Sequence, residues 1–496
     1  MQKQYWQNKW IFILAAIGSA AGLWNLWRFP YQVYDNWWWA FIVAYLVILL
    51  ILGLSLLVWE VAFWQYTQKW APWAFGSVSK YLKWLGWAGI LTAAVILSYY
   101  AVVIWWWIDY LGYSIKWLFN WILPWANDAK TFFFSNVLHL TKDISVVGNI
   151  SIPVLIGTVI TWILIYFTTF KSVKSVGKVV LFTATLPFIT LAILAIRWAT
   201  LPWASEWLHY LLWANWDKLA DLSTWIAAAG QIFFTLSLAM GIMIAYWALK
   251  PKDSEIVKST IIVAIGNTLV SFLSAIAVFW TLWYLAAKQG VEVSKVVAWW
   301  PSLVFVTIPK TISLLPALQS LFAVIFFVTV FLLAIDSAMS LIEAVWVAIR
   351  DKFKNVKIEI ITLILVVVLW LSSLIYTFGN GLYVLDIVDH FITSYSMLFI
   401  WVMEAIIFLV IWKKFAYFID EHNDFRKIWF NKWYLLVCWF LSILILGYLL
   451  YKNIAGWLSY WGYDKSYLIL YGVYTLVAIY SFSVLFNVIG NITFKK

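Results

Sequence analysis

The chain has 496 residues, of which 65% are hydrophobic and 11% charged, and its formal net charge is +11. Its mean hydropathy is +0.90, and a soluble globular chain carries roughly 25% charged residues, so the composition excludes a soluble enzyme, a disordered chain and a nucleic-acid binder. One cysteine, Cys438, and four scattered histidines leave no basis for a disulfide framework or a thiolate or histidine metal cluster.

Apolar runs long enough to cross a hydrocarbon core of about 30 Å recur from end to end. They predict an all-α integral membrane protein of twelve transmembrane helices, over 10–33, 40–63, 86–113, 150–170, 177–197, 223–249, 257–286, 320–349, 358–377, 383–412, 433–452 and 466–490. The first run is no cleavable leader, because it continues into Trp27-Arg28-Phe29-Pro30 without a small-residue cleavage site. Basic residues gather in alternate connections (Lys69, Lys80 and Lys83; Lys171, Lys174 and Lys178; Lys250, Lys252 and Lys258; Lys413 and Lys414) and at the two ends. Such a bias places both termini in the cytoplasm of a multi-pass plasma-membrane protein, and it accounts for the net charge. The segment 287–319 carries Pro301, Pro309 and Pro316 among short apolar stretches, which predicts a re-entrant or capping loop. With no linker between soluble regions, residues 1–496 read as one membrane domain.

Two spans are interrupted. Gly18-Ser19-Ala20-Ala21-Gly22 breaks the first, and Thr235-Leu236-Ser237-Leu238-Ala239-Met240-Gly241 breaks the sixth. Paired interruptions point to a midplane binding site, since unwound backbone frees carbonyls and amides as ligands. On the glycines alone, tight helix packing explains them equally well. Ionisable groups at membrane depth cost roughly 2.5–3.5 kcal/mol on insertion scales, so they are functional candidates. For Glu343 and Glu404 interhelical hydrogen bonding suffices. Asp336-Ser337 differs, because it sets two oxygen ligands side by side in an apolar helix.

The stretches Gly22-Leu23-Trp24-Asn25-Leu26-Trp27-Arg28-Phe29-Pro30, Ala229-Gly230-Gln231-Ile232-Phe233-Phe234-Thr235-Leu236-Ser237-Leu238 and Leu382-Tyr383-Val384-Leu385-Asp386-Ile387-Val388-Asp389 resemble the neurotransmitter:sodium symporters, the bacterial amino-acid branch most closely. The resemblance runs through nearly the whole chain. It implies the leucine-transporter fold: a 5+5 inverted repeat with helices 1 and 6 discontinuous, repeat one over about 10–197, repeat two over about 223–412, and two further helices over 433–490.

Carried over position by position, the resemblance implies two sodium ions. One would be held by the Ala20 carbonyl, Asn25, Thr235, Asn267 and the substrate carboxylate. The other would be held by the carbonyls of Gly18, Ala21 and Leu333 with Asp336 and Ser337. Monoamine transporters of the family carry Asp where this chain has Gly22, which leaves room here for a substrate carboxylate beside sodium, with Tyr100 donating to it. Ala20, Gly22, Leu23 and Trp24 would meet the substrate backbone, and Ile96, Phe234, Ser237, Met240, Ala338 and Leu341 its side chain. That list holds no charge, so the implied substrate is a neutral, hydrophobic amino acid.

Chloride-independent bacterial members place an acid four positions after the Asn of span seven. Here Ser271 holds that place after Asn267, so a chloride site of Tyr45, Gln231, Thr235, Asn267 and Ser271 is implied. An outer gate would pair Arg28 with Asp389 under a lid of Phe234 and Tyr100. An inner gate would use Lys3, Trp6 and Asp351, with Leu249 where most relatives have Tyr. The expected activity is sodium- and chloride-coupled import by alternating access, as a monomer or homodimer. The alternative is a sensor of the same fold that binds substrate and moves nothing.

Forty Trp and 21 Gly complete the pattern. Average chains carry about 7% Gly, and membrane helices usually carry more. Trp24, Trp37, Trp38, Trp39, Trp64, Trp73, Trp198, Trp203, Trp299 and Trp300 stand where the family has Gly, whereas Trp27 is usual for its motif. Some bacterial lineages read UGA as glycine and others as tryptophan. The pattern predicts glycine codons translated under the wrong table; the alternative is a genuinely Trp-rich chain with heavy interfacial belts.

Overall fold

The computed structural model describes residues 6, 8–118, 122–171, 173–200, 215–238, 246–247, 250–251, 254–297, 301–350, 356–421 and 432–491. Among these the chain is helical: α1 (Lys9–Ala20), α2 (Leu23–Asp35), α3 (Trp38–Thr67), α4 (Lys80–Lys116), α5 (Ile152–Thr169), α6 (Ser175–Arg197), α7 (Leu222–Thr235), α8 (Val257–Gln289), α9 (Leu303–Ser313), α10 (Gln319–Ile349), α11 (Glu359–Thr377), α12 (Gly381–Ile411), α13 (Trp433–Tyr460) and α14 (Lys465–Val488). Ten of the described helices are long and apolar enough to span, and α1 with α2 makes an eleventh span bent by 60°. The predicted sixth span is described only through α7 and a few residues beyond, so the expected twelve are neither completed nor reduced.

Local chemistry sets the boundaries. Asn8 caps α1 by accepting from the Trp10 N–H at 2.8 Å, and Asp221 caps α7 by accepting from the Ser223 N–H at 2.9 Å; such side-chain oxygens satisfy donors that a helix start leaves free. That N–H holds the exposed Asp221 carboxyl below the usual carboxylate range. Gly290, with φ +65°, ends α8 in the left-handed conformation that glycine adopts without strain.

The long helices α4 and α10 pack along one another. Around them α2 lies on α8, α7 on α3, α12 on α13, and α14 on α4. The predicted capping loop is the short helix α9, tied down by hydrogen bonds from the Tyr110 hydroxyl to the Phe305 carbonyl (2.8 Å) and from the Trp125 indole to the Pro309 carbonyl (2.9 Å). The strand-like segment at Val147–Ser151 clasps the start of α12: Asn380 N–H donates to the Val147 carbonyl at 3.1 Å, and Gly379 N–H to the Asn149 carbonyl at 3.1 Å. These bonds tie α9 to α4 and residues 147–151 to the connection between α11 and α12.

Candidate functional site

The bend between α1 and α2 falls at Ala21 and Gly22. Ala21 closes α1 by donating to the Ile17 carbonyl at 2.7 Å, and Gly22 is extended, with φ −101° and ψ −162°. Ser337 accounts for the glycine, because a Cβ there would come within 2.7 Å of the serine hydroxyl oxygen. The second interruption opens where α7 stops at Thr235. Ser237 takes a left-handed φ of 52°, and its hydroxyl donates to the Ser19 carbonyl at 3.4 Å, so the two breaks touch. Met240 and Ala239 lie outside the described residues.

Among the described residues, buried oxygens at or beside these breaks without a hydrogen-bond partner include Asp336 Oδ2, Asn25 Oδ1 and Ser19 Oγ. Asp336 Oδ1 accepts from the Thr183 hydroxyl of α6. Its Oδ2 lies against Gly18, where any Cβ would collide with it. Ser337 follows on α10, its hydroxyl 3.4 Å from the Leu333 carbonyl. Gly18, Ala21, Leu333, Asp336 and Ser337 therefore surround the end of α1. On its other side, Asn25 Nδ2 donates to Asn267 Oδ1 and to Ser271 Oγ, each at 2.8 Å, and the Thr235 hydroxyl donates to Asn267 Oδ1 at 3.0 Å. Ala20, two residues before Gly22, accepts the Gly22 N–H at 3.0 Å. Unpaired buried acceptors beside bent backbone are the donor set a hard monovalent cation takes.

The residues expected around chloride gather nearby but are partly engaged. Ser271 bonds Asn25, the Tyr45 hydroxyl lies 3.4 Å from Thr268 Oγ1, and Gln231 Nε2 donates to the Trp24 carbonyl at 3.3 Å. Thr268 has no counterpart in the sequence reasoning.

A cavity of about 70 Å³ lies between the breaks. Ala20, Gly22, Leu23, Trp24, Ile96, Tyr100, Phe234, Ser237 and Leu341 line it as expected, whereas Ala338 is buried but does not reach it. Ser19, Tyr99, Val103, Thr393 and Met397 also line it and were missed. Spacing could have found two of them: Thr393 and Met397 follow Asp389 at four-residue steps on one face of α12.

Above it a second cavity of about 240 Å³ shares Trp24, Trp27, Phe234, Asp389 and Thr393 with the first. The floor between them is aromatic. Trp24 and Phe234 stack with centroids 4.7 Å apart and planes 13° from parallel. Arg28 lies over both rings, its Cζ 5.3 Å from the Trp24 centroid and 5.1 Å from that of Phe234. The expected Arg28–Asp389 ion pair is not formed. The Tyr99 hydroxyl donates to the Asp389 carboxylate at 2.5 Å, and the indole gives the guanidinium a π face it would lack beside a glycine. Gly230 lets Arg28 settle there, since a Cβ would stand 3.1 Å from its Nη2.

On the opposite side Trp6 is buried, its indole donating to the Tyr246 carbonyl at 3.0 Å. Lys3 and Asp351 lie outside the described residues.

The family model described as the sodium:neurotransmitter symporter family matches residues 3–128 and 125–490. The chain belongs to that family. An uncharacterized sodium-dependent transporter of Methanocaldococcus jannaschii is 34% identical over 474 residues, 95% of this chain and 94% of its own. A sodium- and chloride-dependent GABA transporter 2 of Mus musculus is 30% identical over 476 residues, covering 88% and 78%. A sodium-dependent dopamine transporter of Bos taurus is 33% identical over 433 residues, covering 82% and 62%. This symporter is thus a multi-pass, sodium-dependent membrane transporter and not an enzyme.

Proposed function

We propose that this symporter imports a neutral, hydrophobic amino acid with two sodium ions and chloride. One observation carries the reading: the unpartnered oxygens of Asp336 and Asn25 stand on either side of the bend at Gly22, which itself borders the cavity. A cation liganded there shares a wall with the substrate, so a substrate carboxylate can complete its shell and neither particle is fully held alone. Gly22 presents no side chain to an amine, and Ile96, Val103, Leu341 and Met397 give the cavity an apolar part for the substrate side chain. Ser271 is neutral, which leaves sodium charge for an anion to balance; the mouse relative's name states chloride dependence.

Import follows by alternating access. Sodium at Asp336 favours the open outer side, substrate draws Phe234 over itself, and the repeat over about 10–197 rocks against that over about 223–412. Entry is from outside the plasma membrane, with both termini in the cytoplasm. The second reading, a sensor, has Trp24 in its favour, since the indole crowds the floor of the outer cavity.

The test is uptake of labelled leucine into proteoliposomes with sodium and chloride replaced in turn. Accumulation that needs sodium and falls without chloride supports import. Binding without accumulation would establish the sensor.

A further inference from the structure

Lys250 follows α7 in a connection where its charge alone reads as an ordinary cytoplasmic surface lysine. In the structure it is 5% exposed. Its ammonium donates to the Glu255 carbonyl at 2.9 Å and to the Ser259 hydroxyl at 3.1 Å, and lies 4.6 Å from the centroid of Phe12. Three donors therefore meet two oxygens and a π face, which is how a buried ammonium becomes tolerable. Its own carbonyl accepts from Gln68 Nε2 of the α3 end at 3.1 Å.

The partners belong to parts that must separate if the inner side opens. Phe12 sits on α1, Ser259 on α8, and Glu255 on the connection before α8. Two further contacts close the same seam. Lys9 of α1 pairs with the Glu255 carboxylate, and Phe12 meets the Trp247 ring edge-on at 4.6 Å. The Lys9–Glu255 pair is half-exposed and so holds little. The buried ammonium is the stronger tie, because swinging α1 away strips it of its π face.

We propose that Lys250 is a positioning residue of the inner gate, holding the inner half of the broken helix against the α7–α8 connection until the transporter opens inward. The proposal rests on alternating access, not on the substrate class, so it is tested without substrate.

The assay uses full-length protein carrying Cys438→Ala and a reporter, Ala16→Cys, on the fully buried inner half of α1. A membrane-impermeant thiol reagent reads its exposure, with and without sodium. Lys250→Met keeps the apolar stem and removes the charge, so labelling is expected to quicken by about two- to thirtyfold, the worth of the lost cation–π contact with Phe12 on α1. Ser259→Ala and Phe12→Leu, each removing one partner, should move it the same way by less. A merely structural role would lower yield and leave the labelling rate of the folded fraction unchanged. Unchanged or slower labelling in Lys250→Met overturns the proposal. If that variant does not fold, unchanged rates in both Ser259→Ala and Phe12→Leu overturn it equally.

Discussion

Replacing Trp24 with glycine separates what the indole does from what the backbone beneath it does. Substrate reaching the inner cavity must part Phe234 from Trp24. An offset or parallel aromatic pair is worth about 0.5–1.5 kcal/mol, and a cation over a ring about 0.5–2 kcal/mol. The stack and the Arg28 contact therefore oppose entry by about 1–3 kcal/mol in sum. Glycine's extra backbone freedom takes back roughly 0.5–1 kcal/mol, though less here, because the segment is already bent at Gly22. A net of about 1–2 kcal/mol corresponds to five- to thirtyfold tighter binding. Equilibrium binding of labelled leucine to the purified protein at fixed, saturating sodium measures it, with Trp24→Gly compared against Trp27→Phe as a nearby aromatic control. Freed of the indole, Arg28 should also come within reach of Asp389. Binding that is unchanged or weaker in Trp24→Gly would refute the reasoning, since it would mean that the indole holds the substrate and does not bar it.

Trp37→Gly should stabilise the fold by about 1–2 kcal/mol, the strain of a disfavoured backbone well, seen as a higher unfolding midpoint in detergent; a lower midpoint would count against it. In Asp336→Asn the carboxylate facing Gly18 loses its charge, so the sodium-induced rise in that midpoint should shrink and sodium affinity fall at least about tenfold, or about 1.4 kcal/mol. Ser271→Glu adds the fixed negative charge that chloride would supply, and uptake should then be equal with and without chloride; continued chloride dependence would remove Ser271 from the anion site. The gene offers the remaining check: Trp24, Trp37, Trp38, Trp39, Trp64 and Trp73 should be UGA and Trp27 UGG, and UGG throughout ends the translation argument.

Much of the architecture was readable because it is local. Runs of apolar residues set the spans, Pro301, Pro309 and Pro316 marked the capping segment, and the small residues from Gly18 to Gly22 marked the bend to within its own length. Pairings across the fold were not readable. Thr183 meets Asp336 across 153 residues, and nothing in the sequence sets Thr183 apart from Thr185 and Thr190 of the same helix. Lys250 counted as a surface charge because its burial depends on Phe12, which is far from it in the chain. The Arg28–Asp389 pair failed for a related reason. Charge complementarity proposes a pair, but a stacked aromatic face and a tyrosine hydroxyl each offered one member a closer partner.

The tryptophans tie these levels together. Trp37 starts α3 with φ +62° and ψ 129°, outside the left-handed well near ψ 30–60° that an L residue can reach. Trp64 is fully buried, its ring centroid 4.5 Å from that of Phe63 and 5.3 Å from that of Phe75, and its indole N–H has no hydrogen-bond partner among the described residues. A buried tryptophan normally finds one. Trp125 does, on the Pro309 carbonyl, and so does Trp162, on Ser373 at 3.1 Å. An indole without a partner is not peculiar to Trp64, since Trp87, Trp106, Trp107 and Trp439 share it among the described residues, so the backbone at position 37 is the sharper sign. At position 37 the neighbouring helices dictate a turn that only a residue without a side chain makes cheaply, and the chain keeps that turn with an indole in place. Backbone geometry that persists against the side chain it carries is set by the fold around it, and that fold calls for glycine.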